Sequence, residues 1–570
     1  MKSAINILWN RIDKQVSGFY RNMLYKKLEV MAMKKIISLI LAAMLIMMSF
    51  VGCGIKEKAG GDEKIMRYNL SSPTKTIDPT LNISIDGGII IVNAFEGLMR
   101  LDENDKAIPG MAEKYEVSED GLTYTFHIRD AQWSDGEPVT AKDFEYSWKR
   151  VLDSATASDY AYQMFYLKNG EKFNGKQVGA DEVGVKAVDD KTLEVKLEGP
   201  VPYFIELTAY PTYFPVRQDV IEKYGDKWAL EPETYISNGP YKAVKLEQAD
   251  VFSFEKNEKY YDAKRVKLDG IDYYFMEEKA TAMASFESGY VDGLYGVPRE
   301  QIAKLQKENK TEFKIFPNLG IYFYSFNVNV EPMNNRKVRQ ALSLAIDRKS
   351  ITRVITQGGE TAATGFVPSG IKDSSGNDFR EIGGNYGITE TAQIDRAKQL
   401  LAEAGYPNGE GLNTLEIIYN TDENHKKVAE AIQEMWKQNL GINVELSNQE
   451  WQVFQDTITK GEYMIARDGW SADYADPMTF LDLFISNSGN NHPQWENAEF
   501  DALISSAKKE SDQGKRFQMM HQAEEMMMAD QIVMPVYYYT NPMMFKSYVK
   551  DVRVSPLGFI YFDNADIVKE

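Results

Sequence analysis

A segment near the C-terminus combines aromatic side chains with a carboxylate in a pattern that could bind a cation. It carries Trp451 and Trp470, and Asp473 follows in a stretch interrupted by Gly469 and Pro477. Aromatic walls and one fixed negative charge are what a site needs to hold a positively charged group of a small organic ligand. The alternative, which composition alone favours, is a strand end and turn with a structural aspartate.

The usual catalytic signatures are missing from the sequence. Four histidines occur, and no two of them have the spacing of an HExxH zinc site. There is no phosphate-binding glycine loop, no G-x-G-x-x-G opening a helix and no G-x-S-x-G elbow. A glycoside hydrolase that uses two paired carboxylates stays an open alternative. The many acidic residues offer many pairs, and no local arrangement selects one. We therefore expect a binding protein rather than an enzyme, with no metal and no cofactor.

The N-terminal region has the features of a secretion signal. Met33, Lys34 and Lys35 precede an uncharged apolar run over residues 36–52, and a polar, glycine-rich stretch follows. An uncleaved membrane anchor is the alternative, although the run is slightly short for a membrane span. Residues 1–32 are polar and mildly basic, which indicates either an extension or a translation start at Met33, and we favour that start.

Cys53 is the only cysteine, so no disulfide can form within the chain. It directly follows Phe50, Val51 and Gly52, and this run resembles a bacterial lipobox with phenylalanine in place of the usual leucine. The resemblance implies that residues 33–52 are a lipoprotein signal peptide and that Cys53 carries a diacylglycerol. Residues 53–64 would then be a short polar tether.

The net charge argues against some partners. The 570-residue chain has a formal charge of −19, and residues 1–52 hold eight Lys/Arg and two Asp/Glu. Without them the remaining 518 residues carry about −25. This charge opposes binding to nucleic acid or to anionic lipid. The length predicts more than one domain.

Hydrophobic patterns predict a mixed α/β fold. Residues 123–130 and 192–199 alternate apolar and polar side chains, as half-buried strands do. Between Leu415 and Leu446 a strand pattern gives way to an amphipathic helix ending at Gly441 and then to a second strand, which predicts a parallel βαβ unit. Residues 334–348 predict another helix. Its expected buried face consists of Val338, Ala341, Leu342, Ala345 and Ile346.

Longer motifs resemble one protein family over nearly all of residues 66–565. They are TIDPT, AFEGLMRLDE, ISNGPY, NNRKVRQALSLAIDR and the highly specific run DGLTYTFHIRDAQWSDGEPVTAKDFEYSWKR. On these motifs the chain resembles bacterial oligopeptide-binding proteins, the peptide-binding group (family 5) of extracellular solute-binding proteins of ABC transporters. The run NHKKVAEAIQEMWKQNLGINVELSNQEW is closer to the oligopeptide receptors than to the dipeptide or nickel receptors.

This resemblance implies a two-lobed α/β fold of the periplasmic-binding-protein type, with a hinge, a discontinuous first lobe and an extra domain. The first lobe would comprise residues 65–96, 221–315 and 535–570, the extra domain residues 97–220, and the second lobe residues 316–534. Family peptides lie buried between the lobes.

The resemblance also implies which residues bind the peptide. Asp473 would pair with the α-ammonium, because a buried ammonium without a partner charge costs several kcal/mol. Main-chain pairing would come from one strand in each lobe, which gives affinity without reading the peptide sequence. These strands are Gly469, Trp470 and Ser471 in the second lobe and Ile83, Ser84 and Ile85 in the first.

Further side chains match family positions around the ligand. Trp451 and Trp470 match the aromatic walls of side-chain pockets, with core packing as the alternative. Tyr160 matches a tyrosine near the peptide N-terminus. Arg467 and His425 match groups that bind ligand carboxylates, although His425 could equally be a solvent-facing histidine at a helix start.

The function implied is that of a peptide receptor of an ABC importer, held by lipid on the outer face of the cytoplasmic membrane as a monomer. Its partners would be peptides of three or more residues and the permease and ATPase subunits, because Ile355 replaces a family lysine that can reach the carboxylate of a dipeptide. A surface lipoprotein that senses a peptide signal without transport is the alternative, and a hydrolase ranks third.

Overall fold

The computed structural model describes residues 63–71, 73–103, 105–247, 250–308, 311–373, 375–486 and 488–569. The predictions for the signal peptide, Cys53 and residues 1–32 lie outside this described part. Within it, no helix combines the length and apolar character that a membrane crossing requires.

The strands are β1 (Ile65–Asn69), β2 (Met99–Leu101), β3 (Ala107–Pro109), β4 (Ala112–Val117), β5 (Thr123–Ile128), β6 (Val185–Ala187), β7 (Thr192–Lys196), β8 (Tyr241–Glu247), β9 (Val251–Lys256), β10 (Gly270–Tyr274), β11 (Gly293–Tyr295), β12 (Phe313–Phe326), β13 (Thr361–Ala362), β14 (Leu415–Asn420), β15 (Val444–Gln449), β16 (Ile465–Ser471), β17 (Val533–Phe545), β18 (Val549–Lys550), β19 (Arg553–Val554), β20 (Ile560–Tyr561) and β21 (Asp566–Ile567).

The α-helices are α1 (Ile85–Ala94), α2 (Ala141–Leu152), α3 (Gly170–Asn174), α4 (Phe204–Leu207), α5 (Gln218–Tyr224), α6 (Lys279–Glu287), α7 (Arg299–Glu308), α8 (Arg336–Leu344), α9 (Arg348–Ser350), α10 (Phe379–Gly383), α11 (Ile394–Glu403), α12 (Glu423–Leu440), α13 (Trp451–Thr459), α14 (Met478–Leu481), α15 (Ala498–Lys509) and α16 (Gln513–Asp530).

Most of these strands join one large mixed sheet. Its order is β15-β14-β16-β12-β17-β11-β1-β10-β9-β8, and the short β13 adds to β17. The long strands β12 and β17 pair with each other through the middle of this sheet, and their register slips between Pro317 and Ile321. A separate antiparallel sheet has the order β4-β5-β7-β6 and lies within the segment predicted as the extra domain. The predicted mixed α/β class is therefore confirmed.

The predicted βαβ unit is also confirmed. Strands β14 and β15 pair in parallel from Leu415 to Asn420, and α12 connects them. Asp422 caps the start of α12, because its carboxylate accepts the backbone N–H groups of Asn424 and His425. Gly441 ends the helix in the left-handed conformation, with φ of 73°. Both predicted strands at residues 123–130 and 192–199 form as well, as β5 and β7.

Two predictions about local structure are wrong in part or in full. The helix expected over residues 334–348 ends at Leu344, although Ala345 and Ile346 are still fully buried. Residues 83–85 do not form a strand. Ser84 instead caps α1, because its hydroxyl accepts the backbone N–H of Gly87 at 3.1 Å, and Ile85 is the first helical residue. The capping serine therefore decides the local conformation.

Three smaller hydrophobic cores lie apart from the main one, and two of them flank the long strands β12 and β17. The β14 core packs α8, α11 and α12 against one part of the sheet. Its members include Tyr322, Val338, Leu415, Ile432, Trp436 and Tyr537. The β11 core packs α6 and α7 against β11. Its members are Met283, Phe286, Val291, Leu294, Val297, Ile302, Leu305 and Met544.

The strands β12 and β17 run past both of these cores. Tyr322 and Tyr537 belong to the β14 core, whereas Met544 near the end of β17 belongs to the β11 core. The predicted lobe boundaries, after residue 315 and after residue 534, both fall inside these two strands. The domain scheme itself stays a prediction.

Candidate functional site

Strand β16 has one edge that is largely unpaired in the described part of the chain. Its seven residues all pair with β12, from Gly320 opposite Ser471 to Phe326 opposite Ile465. On the other side, β14 pairs only with Ile465 and Ala466. Residues 467–471 therefore leave backbone groups on one side without a strand partner, which is the arrangement that lets an extended peptide add to a sheet.

The side chain of Tyr539 in β17 reaches across β12 and comes very close to Gly469 of β16. A Cβ atom at this position would lie 2.4 Å from the Tyr539 hydroxyl oxygen, so no larger residue fits without displacing that ring. The backbone N–H of Gly469 donates to Asp468 Oδ1 at 2.8 Å. Asp468 in turn accepts from Ser325 Oγ at 2.9 Å and contacts His492 Nδ1 at 2.7 Å. This network fixes the backbone of the strand at Gly469.

Asp473 lies just past β16 and is buried, with 7% of the residue exposed. Three tyrosine hydroxyls approach its carboxylate: Tyr160 and Tyr162 at 3.3 Å each and Tyr210 at 3.5 Å. Across the described residues, no Lys, Arg or His lies within 4.0 Å of it. Burial raises the pKa of Asp473 to about 7, although the tyrosine hydrogen bonds oppose this increase. The site holds a carboxylate that lacks a cation.

A cavity of about 180 Å³ adjoins Asp473. It brings the segment around Ser84 next to the end of β16, although these segments are far apart in sequence. Its lining consists of Asn82, Ile83, Ser84, Ile85, Tyr160, Tyr210, Pro211, Trp470, Ser471, Ala472, Asp473, Leu557 and Phe559. Seven of the residues singled out from the sequence therefore surround one space.

Arg467 lies at the opposite end of the open edge. Its Nη2 atom donates to the Tyr539 hydroxyl at 3.0 Å, and its guanidinium lies 4.8 Å from the centre of the Tyr322 ring. Among the described residues no carboxylate forms an ion pair with it, and its Nε atom is buried without a hydrogen-bond partner. This end of the edge therefore holds a cation that lacks an anion.

His425 lies beside the same tyrosine. Its ring is 5.5 Å from that of Tyr322, and its Nδ1 atom is buried without a hydrogen-bond partner. Burial, together with the nearby charge of Arg467, lowers the pKa of His425 to about 3, so the imidazole is neutral. A neutral histidine can donate a hydrogen bond to a carboxylate but adds no charge.

The two tryptophans have different surroundings. Trp470 lines the cavity, and its indole Nε1 donates to Thr479 Oγ1 at 3.4 Å. Trp451 starts α13 and is half exposed, with its ring stacked on Phe454. The structure does not bring Trp451 to the cavity at Asp473.

Sequence reasoning missed Tyr162, Tyr210 and Tyr539. Each contacts a charged residue of the site through its hydroxyl. The chain contains 33 tyrosines, so residue type alone could not select these three. The only local signal was the position of Tyr162, two residues after Tyr160.

Comparison with known proteins places this arrangement in a family. A family model for bacterial extracellular solute-binding proteins, family 5 (middle), matches residues 106–492. The oligopeptide-binding protein OppA of Bacillus subtilis is 38% identical over 95% of this chain and 99% of its own length. The periplasmic oligopeptide-binding protein OppA of Salmonella typhimurium is 36% identical over 89% of this chain and 93% of its own length.

A solved structure agrees with these sequence relatives. The crystal structure of Haemophilus influenzae OppA in complex with RPPGFSPFR matches with a TM-score of 0.77 at 34% identity, covering 89% of this chain and 99% of that chain. The fold is therefore the two-lobed α/β fold of extracellular solute-binding proteins. The chain belongs to family 5 of the bacterial extracellular solute-binding proteins, which confirms the family predicted from the sequence motifs.

Proposed function

We propose that this protein binds short peptides outside the cytoplasm and delivers them to the permease of an ABC importer. One observation carries the proposal: within the described residues, an open strand edge runs between a buried carboxylate without a cation and a partly buried guanidinium without an anion. A peptide with free termini supplies both missing charges and, between them, a backbone that can pair with the edge.

In this proposal the peptide α-ammonium binds Asp473, and the hydroxyls of Tyr160, Tyr162 and Tyr210 surround the pair. Bringing the ammonium to the carboxylate replaces water around both charges, so the geometry of the pair must compensate for their desolvation. The first side chain of the peptide would occupy the cavity beside Trp470. Ser84 and its neighbours Ile83 and Ile85 would contact the peptide from a helix start rather than from a strand.

The peptide carboxylate would bind Arg467, with neutral His425 as a hydrogen-bond donor. The edge from Arg467 to Ser471 covers four strand steps of about 3.3 Å, on the order of 13 Å, which matches a peptide of about four residues. Because contacts to the peptide backbone do not read its sequence, we expect broad tolerance of side chains.

The names of relatives support this class of ligand. Two Bacillus subtilis relatives are named as an oligopeptide-binding and a dipeptide-binding protein, and the Haemophilus influenzae structure contains the peptide RPPGFSPFR. All of them are binding proteins by name, which favours a receptor over a hydrolase. Incubation with peptides that bind should therefore leave them uncleaved.

The decisive experiment is to identify the ligand that copurifies with the protein. Denaturing the purified protein and analysing the released small molecules by mass spectrometry should yield a mixture of short peptides with free amino termini. Calorimetry with the same peptides should give binding at one site per chain. If neither released nor added peptides are found to bind, the proposed function is wrong.

The location follows from the N-terminal region. We expect a monomer attached to the outer face of the cytoplasmic membrane through a lipid on Cys53. Replacing this residue, Cys53→Ser, should release the protein from the membrane fraction. A variant that stays bound as firmly as the parent would contradict the lipid attachment and support an uncleaved anchor.

A further inference from the structure

A stacked pair of tyrosines lies next to the buried carboxylate of the site. Tyr474 directly follows Asp473, and Tyr203 directly precedes α4. The two ring centres are 4.7 Å apart with 9° between the ring planes, and the residues are only 5% and 6% exposed. Neither tyrosine belongs to the lining of the cavity at Asp473. The stack therefore joins two distant parts of the chain beside the space proposed for the peptide, without entering it.

The Tyr474 side of this contact is anchored to α16. Arg516 of that helix donates to both oxygens of Asp476, at 2.6 and 2.7 Å. One of these oxygens also accepts the backbone N–H of Met478 at 2.9 Å. The same guanidinium lies 5.0 Å from the centre of the Tyr203 ring, which is within the range of a cation–π contact. Tyr203 therefore packs against a ring and a cation that both belong to the anchored turn after β16.

The Tyr203 side of the contact carries the tyrosines that approach the carboxylate. The Tyr203 hydroxyl donates to the Tyr166 hydroxyl at 3.0 Å, and Tyr166 follows Tyr160 and Tyr162 closely in sequence. The rings of Tyr160 and Tyr210 meet edge to face at 6.0 Å. These contacts join the five tyrosines into one unit, which we name the tyrosine face.

The tyrosine face covers the carboxylate that the peptide ammonium would have to reach. Asp473 is only 7% exposed, and three hydroxyls of the face lie within 3.5 Å of its oxygens. The adjoining cavity of about 180 Å³ is smaller than the roughly 300–1,000 Å³ of pockets that enclose small-molecule ligands. In the proposed function, the tyrosine face therefore has to move away from the turn after β16 whenever a peptide enters or leaves.

We propose that the stack of Tyr203 on Tyr474 holds the tyrosine face over Asp473 and so limits the rate at which bound peptide is released, an inference that rests on the proposed function. A peptide leaves only after the two rings separate, and separation loses both the aromatic stack and the cation–π contact with Arg516. Because the stack does not contact the peptide, it slows the release of every peptide by the same factor.

The test is stopped-flow tryptophan fluorescence, to which Trp470 at the cavity contributes. The dependence of the observed rate on peptide concentration gives the association and dissociation rates. Tyr203→Leu keeps apolar bulk but loses the flat ring, and we expect dissociation to become at least about fivefold faster. The factor should be equal for a free peptide and for its N-acetylated form. Tyr203→Phe keeps the stack and should stay within about twofold of the wild type.

Replacing the partner ring tests the contact from its other side. Tyr474→Leu should accelerate dissociation by a similar factor, and the double variant with Tyr203→Leu should be no more than about twofold faster than either single variant. A matched control removes a buried stacked tyrosine elsewhere. Tyr68 of β1 stacks on Phe545 with 17° between the rings, and its hydroxyl has no hydrogen-bond partner among the described residues. Tyr68→Leu should lower stability and leave both rates within about twofold.

Four results would overturn the inference. They are unchanged dissociation in both single variants, additive acceleration in the double variant, acceleration of free peptides only, and equal acceleration by Tyr68→Leu. The third would mean that Tyr203 acts on the ammonium pair rather than on the movement of the tyrosine face. Failure of the proposed function is distinct, since then no peptide binds the wild-type protein.

Discussion

Two buried aspartates three residues apart show how differently one chemical group can be used. Asp473 and Asp476 are each 7% exposed, and both follow β16. Asp476 receives two hydrogen bonds from Arg516, at 2.6 and 2.7 Å, in a bidentate ion pair. Asp473 receives only tyrosine hydroxyls and has a raised pKa. The Asp476 carboxylate has its cation in the folded chain, whereas the Asp473 carboxylate has none among the described residues.

In the proposed function, this difference separates a group that stabilises the fold from a group that binds a ligand. A bidentate guanidinium satisfies a buried carboxylate fully, so Asp476 offers nothing to a ligand. Keeping Asp473 without a cation costs folding free energy, which a ligand ammonium can return on binding. Arg467 is the corresponding cation at the other end of β16.

Removing the ligand charge should affect binding only through Asp473. N-acetylation of a peptide removes its ammonium, and we expect a loss of about 3–5 kcal/mol, roughly 100-fold or more in affinity. Asp473→Asn should lower the affinity for free peptides by a similar factor and the affinity for acetylated peptides much less. The four combinations to compare are therefore wild type and variant, each with free and with acetylated peptide. Calorimetry on the four combinations measures this coupling. Additive losses would show that Asp473 is structural and that the contrast with Asp476 does not hold.

Removing one partner of the complete pair should destabilise the fold instead. Asp476→Asn leaves the buried guanidinium of Arg516 without its carboxylate, and we expect unfolding to become easier by about 3–5 kcal/mol. Urea denaturation measures the change. The remaining folded protein should still distinguish free from acetylated peptides as the wild type does. Loss of that discrimination without loss of stability would assign Asp476 to the binding site.

Asp473→Asn should have the opposite effect on the ligand-free protein and stabilise it. The raised pKa of Asp473 means that the native state binds a proton that the unfolded state loses above pH 4. The contribution of this group to stability therefore falls as pH rises from about 4 to about 7 and stays low above pH 7. At pH 8 the variant should be more stable by at most about 4 kcal/mol.

Thermal unfolding of peptide-free protein at pH 5 and pH 8 measures this gain. The advantage of the variant over the wild type should be larger at pH 8. A variant that is less stable than the wild type at both values would mean that the tyrosine hydroxyls already satisfy the carboxylate.

The affinity for free peptides should depend on pH near neutrality. Because an ionised Asp473 is needed to pair with the ammonium, a proton competes with the ligand below pH 7. We expect the affinity to fall by up to about tenfold per pH unit below that value. Acetylated peptides serve as the control, and their affinity should change little over the same range. Parallel pH profiles for both peptides would place the titrating group elsewhere.

Local patterns in the sequence predicted local structure well. The alternation and spacing in residues 415–446 depend only on neighbouring residues, and the βαβ unit with its glycine cap forms as expected. The helix after Asn335 was predicted too long, because buried Ala345 and Ile346 continue the apolar pattern beyond the last helical turn. Ile83–Ile85 were predicted as a strand from resemblance, while the capping chemistry of Ser84 favours a helix start.

The site depends on contacts that sequence spacing does not contain. Asp473 and Trp470 could be singled out from their residue types and spacing, and resemblance added Ser471, Tyr160 and Arg467. Tyr210 reaches Asp473 across 263 positions of the chain, and Tyr162 reaches it across 311. Pairs of this kind follow from the packing of separate elements, and a single sequence carries no signal for them.

The unpaired edge of β16 also bears on solubility. An exposed strand edge is a template on which strands of other chains can assemble into aggregates. Here the stretch from Arg467 to Ser471 ends at a charge on both sides, the partly buried Arg467 itself and the buried Asp473 just beyond. A long strand of a neighbouring molecule would have to bury these charges against uncharged backbone, whereas a short peptide brings matching termini. In the proposed function, the two charges that attract the ligand would therefore also protect the protein from assembling with itself.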